Sequence, residues 1–549
     1  MYEKLNYLLT DFESANSDLN YWYNIGVDDA KILIEQFGEE DWQKLFDDID
    51  KKTINWKKRI AYCMDNNNDE HQLKLLEILS KTSDPDLFRI VVDSLRNDFD
   101  ISMLNNKEEI ENKIKSFWLT SDNISQKIYL DFLKKMTSQN NNLKIFTDNI
   151  EDEAKDQIYK LLAQDAFKNS KIRIMPDVHA GKSCVIGFTG DLGEKIIPNI
   201  VGVDIGCGML CIELGKIDID YEKLDQFINQ NIPNGKKIND SKVEDFNLSK
   251  LYCYAKLKNI NLLENALGSL GGGNHFIEID EAQDGEKYLV IHTGSRNLGT
   301  QIATFYQQLA VQLCNQDTIK RDEKIKKIIK EYKEQGREKE IQQELDNVQK
   351  EFDKYQEKVP NEFAYLEGEY RDAYLHDMKI CQEYASLNRW TIAMKIINYM
   401  DFDIQSYFES VHNYISFEDN IVRKGAISAR DGEKVIIPIN MRDGCIIGIG
   451  KGNPDWNYSA PHGAGRIMSR NKAMEMIKLE DYKKSMENVY STSVNENTID
   501  ESPFAYKSME EILEHIIPTV DVVKIIKPVY NFKASEISRV NIEEHSKTR

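Results

Sequence analysis

The chain has 549 residues, is 41% apolar, and carries 92 acidic against 71 basic side chains for a formal net charge of −21. That length exceeds one ordinary compact core, so at least two folded units are expected, one of them large. The acidic balance argues against broad nucleic-acid binding, which needs a basic surface, but it permits an enzyme that grips only a nucleic-acid end through a local basic rim.

No apolar run approaches the roughly 18–20 residues of a membrane span. The opening stretch, MYEKLNYLLTDFESANSD, has acidic groups where a secretory signal would start basic. A cytoplasmic location without membrane contact is expected. Cys63, Cys184, Cys207, Cys211, Cys253, Cys314, Cys381 and Cys445 are scattered without framework spacing, which fits a reducing compartment.

From Asp28 to about Asp98 the apolar spacing is helical: Ile32, Leu33 and Phe37, then Leu73, Leu76, Ile78 and Leu79, then Leu87, Ile90, Val91 and Leu95. The break Ser83-Asp84-Pro85, with proline in a first helical turn, separates two of these helices in the manner of a short helical repeat. Residues 1–138 are thus expected to form an α-helical accessory domain that presents an interaction surface. The polar run Gln139–Asn142 reads as its boundary.

From residue 141 the texture changes to short apolar strands punctuated by glycine. Residues 315–358 interrupt it: Ile341, Leu345, Val348, Phe352 and Tyr355 recur at coiled-coil spacing, and Ile325, Ile328, Ile329 and Tyr332 face them across Gly336. An inserted antiparallel helical hairpin is expected there, either a strut or a partner-binding arm.

The chemistry lies in the glycine-rich blocks. Of nine histidines, four sit in glycine-flanked or polar loop motifs: His275 in GGGNHF, His292 in VIHTGSR, His412 in VHNYI and His462 in PHGAGR. Glycine lets backbone approach a ligand closely, whereas a core histidine would sit in an apolar run. With Asp204 and Cys207 of VDIGCG they offer a thiolate, imidazoles and a carboxylate, a donor set suited to Mn²⁺, Fe²⁺ or Zn²⁺ rather than Mg²⁺ or Ca²⁺. Two ions are expected, because a thiolate can bridge. The clustered backbone N–H groups, with Arg296 and Arg466 nearby, suit phosphate. Walker, Rossmann and zinc-ribbon patterns are missing.

The ordered blocks MPDVHAGK, VGVDIGCGM, GGGNHFIE, HTGSRNLG, YASLNR, HNYI, RKGAI, PHGAGRIMSR and KPVYNFKA resemble the RtcB family of RNA ligases over residues 141–549. The resemblance implies an α+β catalytic domain with central antiparallel sheets around a deep metal cleft. It implies Asp204, Cys207, His275, His292 and His412 as ligands of two Mn²⁺ ions, with Cys207 bridging, and His462 as the nucleophile that takes GMP from GTP. Asn274, Glu278, Asn413, Arg466 and Lys533 would bind the nucleotide, Glu278 by reading guanine. Arg296, Asn297, Arg423 and Lys424 would face phosphate or RNA. The implied substrates are RNAs with 3′-phosphate or 2′,3′-cyclic phosphate ends and 5′-hydroxyl ends, in RNA repair or tRNA splicing, with room for an activating protein partner.

Three positions depart from the family's main branch. Val422 replaces a histidine before RKGA, IleAsnMetArg (439–442) replaces a Gly-Ser-Met-Gly segment, and Pro461 replaces the cysteine before the nucleophile. They point to a divergent branch. The rival readings are a metal- and GTP-binding scaffold, an end-guanylylating protein without full strand joining, and a phosphodiesterase acting on cyclic phosphate ends.

Overall fold

A computed structural model describes residues 1–14, 22, 26–65, 69–99, 103–118, 120–137, 142–167, 170–334, 344–345, 348 and 359–534. It divides into two compact units, residues 1–141 and 142–549.

The described elements of the first unit are helical. Short polar caps set their starts: the Thr53 side chain accepts the Trp56 N–H, and Asp84 accepts the Leu87 N–H at 2.8 Å, with Pro85 in the first turn of the helix Pro85–Asp98. A capping side chain satisfies one of the four N–H groups a helix start leaves open. The faces so aligned bury Leu73, Leu76, Leu79, Leu87, Val91 and Leu95. The Phe88 ring meets those of Phe117 and Tyr129 at 5.3 and 5.7 Å. In the helix Val27–Glu35 the buried positions are Val27, Ala30 and Ile34, while Ile32 is 53% exposed. The buried spacing of three and four residues there starts from Val27, the residue before Asp28.

Among the described residues, the second unit carries fourteen strands in three sheets. β1 (Leu143–Ile145), β2 (Ile172–His179), β3 (Ile186–Asp191), β4 (Gly208–Gly215), β5 (Phe276–Ala282), β6 (Lys287–Thr293) and β7 (Ser406–Val411) precede β8 (Asn413–Ser416), β9 (Ile421–Lys424), β10 (Ala426–Ser428), β11 (Lys434–Asn440), β12 (Gly444–Gly450), β13 (Ser459–Pro461) and β14 (Val520–Lys533). One sheet runs β1-β2-β3-β9-β8, a second pairs β10 with β13, and the third runs β11-β12-β14-β5-β6-β4-β7. The seven-stranded sheet is antiparallel throughout. Its outer strands approach each other: the Ile436 N–H of β11 donates to Ser410 Oγ of β7 at 3.1 Å. The sheet is therefore a nearly closed barrel.

Alternation along the strands sends side chains to two faces. Met209, Phe276, Val290, Ile436, Ile447 and Ile526 fill the inside. On the outside, Leu210, Ile212, Ile277, Ile279, Leu289 and Ile291 pack against Ile392, Ala393, Ile396 and Ile397 of the long helix Gly368–Met400. Each such aliphatic side chain contributes about 1.5–3 kcal/mol of burial. The first half of that helix enters a separate core through Tyr374, Met378, Cys381 and Tyr384. Between the halves, Asn388 and Arg389 are fully buried and polar.

The helix Arg296–Cys314 is followed by the helix Gln316–Glu334. Asn315 closes the base of this insertion, exchanging 2.9 Å hydrogen bonds with the backbone of Val359. Of the expected returning arm, Ile341, Phe352 and Tyr355 lie outside the described residues. Among the described residues, no helix is long and apolar enough to cross a membrane.

Candidate metal and nucleotide-transfer site

Three connecting segments and one strand end bring the site's side chains together. The loop before β4 supplies Asp204 and Cys207, the turn before β5 supplies His275, the end of β6 supplies His292, and His412 links β7 to β8. Cys207 Sγ stands 3.3 Å from His292 Nε2 and 3.5 Å from His275 Nε2. His275 Nε2 is 3.1 Å from Asp204 Oδ2, and His292 Nε2 is 3.3 Å from His412 Nε2. The donors form two triads, Asp204–Cys207–His275 and Cys207–His292–His412, which share the thiol.

The rings are turned for ligation. His275 Nδ1 lies 2.9 Å from Leu270 O and His292 Nδ1 lies 3.2 Å from Asn274 O. A proton on each Nδ1 donates to these carbonyls, leaving the Nε2 lone pairs aimed into the cluster. Burial, then the neighbouring imidazoles, push His292 and His412 well below the ordinary histidine range, so both are neutral. The donor chemistry thus fits transition-metal binding, with Cys207 common to both triads.

Asn388 and Arg389 tie the loops together. Asn388 Oδ1 accepts the Gly268 N–H at 2.8 Å, and its Nδ2 donates to Ser269 O and Gly294 O at 3.1 Å. Arg389 donates to Gly206 O at 2.7 Å, Thr293 O at 3.0 Å and Glu409 at 3.0 Å. Close approach also requires Gly294, where a Cβ would lie 2.2 Å from Asp204 Oδ1.

His462 follows β13 and faces the same cavity, with its ring 5.0 Å from that of His412. Its Nδ1 is 2.6 Å from Asp177 Oδ2, and the same oxygen accepts the His462 backbone N–H at 3.1 Å. Asp177 is fully buried. Gly425 (φ 60°) leaves room for the ring, because a Cβ there would come within 3.3 Å of His462 Cε1.

The cavity measures about 620 Å³, and its lining includes Asp204, Cys207, His292, His412 and His462 together with Glu278, Arg466, Glu501, Tyr506 and Lys533. Asn274 and Asn413 line it too, as do Ile439, Asn440 and Met441 of the divergent segment. Asn413 Oδ1 accepts the Gly425 N–H at 3.0 Å. Lys533 Nζ donates to Asn274 O at 2.9 Å and pairs with Glu501 at 2.8 Å. Arg466 also pairs with Glu501, at 3.3 Å, and Arg470 does so at 2.7 Å. Burial alone would push the Glu501 carboxyl up, but Lys533, Arg470 and Arg466 hold it down at about 2.

The expected phosphate-facing group is placed differently. Arg296, Asn297, Arg423 and Lys424 are not among the residues lining this cavity. Arg296 donates to Ser269 Oγ at 3.1 Å and Gly235 O at 2.9 Å. Asn297 accepts from Gln301 at 2.7 Å. Arg423 is wholly buried, bound to Asp419, Ser459, Tyr414 and Asn457, and Lys424 donates to Lys182 O at 3.0 Å. The Arg423 guanidinium, engaged through all three nitrogens, holds loops together and has no donor to spare for a phosphate. Asp177 lies in MPDVHAGK, yet nothing in the local sequence of Asp177, Glu501 or Arg470 announces these contacts.

The family model for the tRNA-splicing ligase RtcB matches residues 159–260 and 253–534. The chain belongs to the RtcB family. The RNA-splicing ligase RtcB of Escherichia coli K12 is 30% identical over 438 residues, covering 72% of this chain and 98% of that protein. The RNA-splicing ligase RtcB1 of Escherichia coli ATCC 25922 is 29% identical with the same coverage. The tRNA-splicing ligase RtcB of Nanoarchaeum equitans is 24% identical over 65% of this chain and 86% of that protein. The matched region of the family model begins after the helical unit and spans both donor triads, His462 and Lys533.

Proposed function

We propose that this RtcB-family chain is an RNA ligase, dependent on GTP and Mn²⁺, that joins 3′-phosphate or 2′,3′-cyclic phosphate ends to 5′-hydroxyl ends through a His462–GMP intermediate. The observation that carries the reading is a buried carboxylate holding His462 beside two donor triads that share one thiol. The names of the relatives, RNA-splicing and tRNA-splicing ligases, support the substrate class.

Asp204, Cys207 and His275 would hold one ion, and Cys207, His292 and His412 the other. Bound metal would supply charge withdrawal from phosphate oxygens. Asp177 keeps a proton on His462 Nδ1, which leaves the Nε2 lone pair facing the cavity. That lone pair attacks the α-phosphorus of GTP; an N–P bond forms, the bond to the bridging oxygen breaks, and pyrophosphate leaves. The Asp177 carboxylate offsets the positive charge on the ring. The RNA 3′-phosphate, opened from its cyclic form by water where necessary, then takes GMP from His462. A 5′-hydroxyl oxygen finally displaces GMP and closes the strand.

Glu278 reads the base by accepting from guanine N1–H and N2–H, a donor pair adenine lacks. Lys533, Asn274, Asn413 and Arg466 border the nucleotide. Residues 1–138 serve as an accessory module for a particular RNA or an activating protein, in repair or splicing within the cytoplasm. Incubating the protein with Mn²⁺, α-labelled GTP and a nicked RNA stem-loop tests the whole reading: covalent label and a sealed strand are expected. Nucleotide binding without covalent label would favour a scaffold, and label without sealing an end-guanylylating protein.

A further inference from the structure

β5 presents Phe276, Glu278, Asp280 and Ala282 on one face, and Phe276 and Ala282 belong to the apolar barrel interior with Met209, Val290, Ile436 and Ile526. Glu278 is 3% exposed and Asp280 0%, so two carboxyls share an apolar interior. One oxygen of each lies with Cys445 Sγ in a cluster whose atoms are all within 4.8 Å of one another. Two ionised carboxylates so placed would need a cation or a proton between them.

The groups around the pair decide where that proton sits. From β14, Asn531 Nδ2 donates to Glu278 Oε1, and the Lys533 ammonium acts on the same carboxyl. Apart from the Cys445 thiol, a weak donor, no side chain donates to the oxygens of Asp280. Cys445 of β12 and Cys211 of β4 remain neutral thiols, since burial and then the charge of Asp280 push both well above the ordinary range. The Tyr288 hydroxyl of β6 is taken up by Glu286 and Lys524. Burial pushes Asp280 to about 7, and burial with the charge of Asp280 pushes Glu278 up as well. The pair titrates as a unit. Its negative charge belongs on Glu278, which has the amide and the ammonium, and its proton on Asp280, which has neither.

We propose that Asp280 is a protonated positioning residue for the base pocket: its carboxyl donates to Glu278, keeps that side chain an acceptor, and thereby sets the preference for guanine. The inference rests on Glu278 reading the base. Asp280 touches no substrate and acts through Glu278 alone. A neutral donor of the same shape should therefore replace it, and an apolar isostere should not.

The test uses the full-length protein and the variants Asp280→Asn, Asp280→Leu and Glu278→Gln, with melting temperature as a check on folding. In the nucleotide-free protein, the infrared C=O band of a buried protonated carboxyl should vanish in Asp280→Asn and persist in Glu278→Gln. GTP affinity by calorimetry should stay within about threefold of wild type in Asp280→Asn and fall at least about tenfold in Asp280→Leu. Glu278 must be ionised to bind, and losing its donor raises its pKa. The Asp280→Leu variant should thus lose affinity by about tenfold per unit of falling pH, starting at a higher pH than wild type. A band that survives in Asp280→Asn, a folded Asp280→Asn that binds GTP tenfold more weakly, or a metal equivalent lost with Asp280 would each overturn the proposal. If the infrared bands behave as stated but wild type binds GTP and ATP equally, the protonation stands and the guanine reading of Glu278 fails.

Discussion

Asp177 Oδ2 lies 2.6 Å from His462 Nδ1 and also accepts the His462 backbone N–H, so one buried carboxylate fixes both the ring and the peptide of the residue facing the metal donors. The Asp177→Asn variant keeps the shape but can present an N–H to Nδ1, which favours the wrong tautomer. Transfer of GMP to the protein should slow by about 10²–10⁴-fold while metal content stays unchanged. Single-turnover labelling with α-labelled GTP measures the first quantity and elemental analysis the second. Labelling at the wild-type rate would remove Asp177 from the mechanism.

Cys207 serves both donor triads, so Cys207→Ser should weaken both ion positions together. A neutral hydroxyl is a poor substitute for a bridging thiolate, and affinity for Mn²⁺ should fall by more than about a hundredfold. Titration with Co²⁺ provides a second readout through its sulfur-to-metal absorption. Two full equivalents bound to the serine variant would show that the bridge is not Cys207.

Gly294→Ala tests the packing that brings Asp204 to the cluster. The added methyl would lie 2.2 Å from Asp204 Oδ1, so either the carboxylate or the β6–helix turn must move. Overpacking of this kind costs about 1–3 kcal/mol, read as a lower denaturant midpoint. Metal affinity should drop with it. Unchanged midpoint and affinity would mean that the loop relaxes freely.

The residues of the two triads stood out in the sequence because Asp204, Cys207, His275 and His292 lie within two positions of a glycine, which permits close backbone approach, while His412 lies in a short polar link. Asp177 did not, since its meaning depends on a contact 285 positions along the chain with a residue just after β13 of another sheet. Arg423 and Lys424 came from the resemblance as phosphate- or RNA-facing residues; β9 is buried along its length and turns Arg423 inward to Asp419. Arg466 and Lys533 do reach the cavity, but Glu501 lies between them, and nothing in its local sequence announces a carboxylate that three cations share. The antiparallel sheets were expected from resemblance; the near-closure of the barrel through Ile436 and Ser410 depends on long-range pairing that local alternation does not encode.

Removal of residues 1–138 should leave Mn²⁺-dependent labelling by GTP intact, because the residues lining the cavity lie between Glu151 and Lys533. The two units each have their own buried apolar side chains. Activity on particular RNAs should change more than labelling does. A soluble, folded truncation that cannot be labelled would place part of the active site in the helical unit.

In the proposed reaction His462 carries GMP while the metals are held by other residues. The direct measurement is covalent labelling by α-labelled GTP of wild type and His462→Ala, with metal content determined on the same preparations. Wild type should form an adduct that is labile in acid and stable in alkali, as a phosphorus–nitrogen bond is when its leaving imidazole becomes protonated. His462→Ala should form none and retain both metal equivalents. An acid-labile adduct on His462→Ala, or loss of metal together with labelling, would contradict the account.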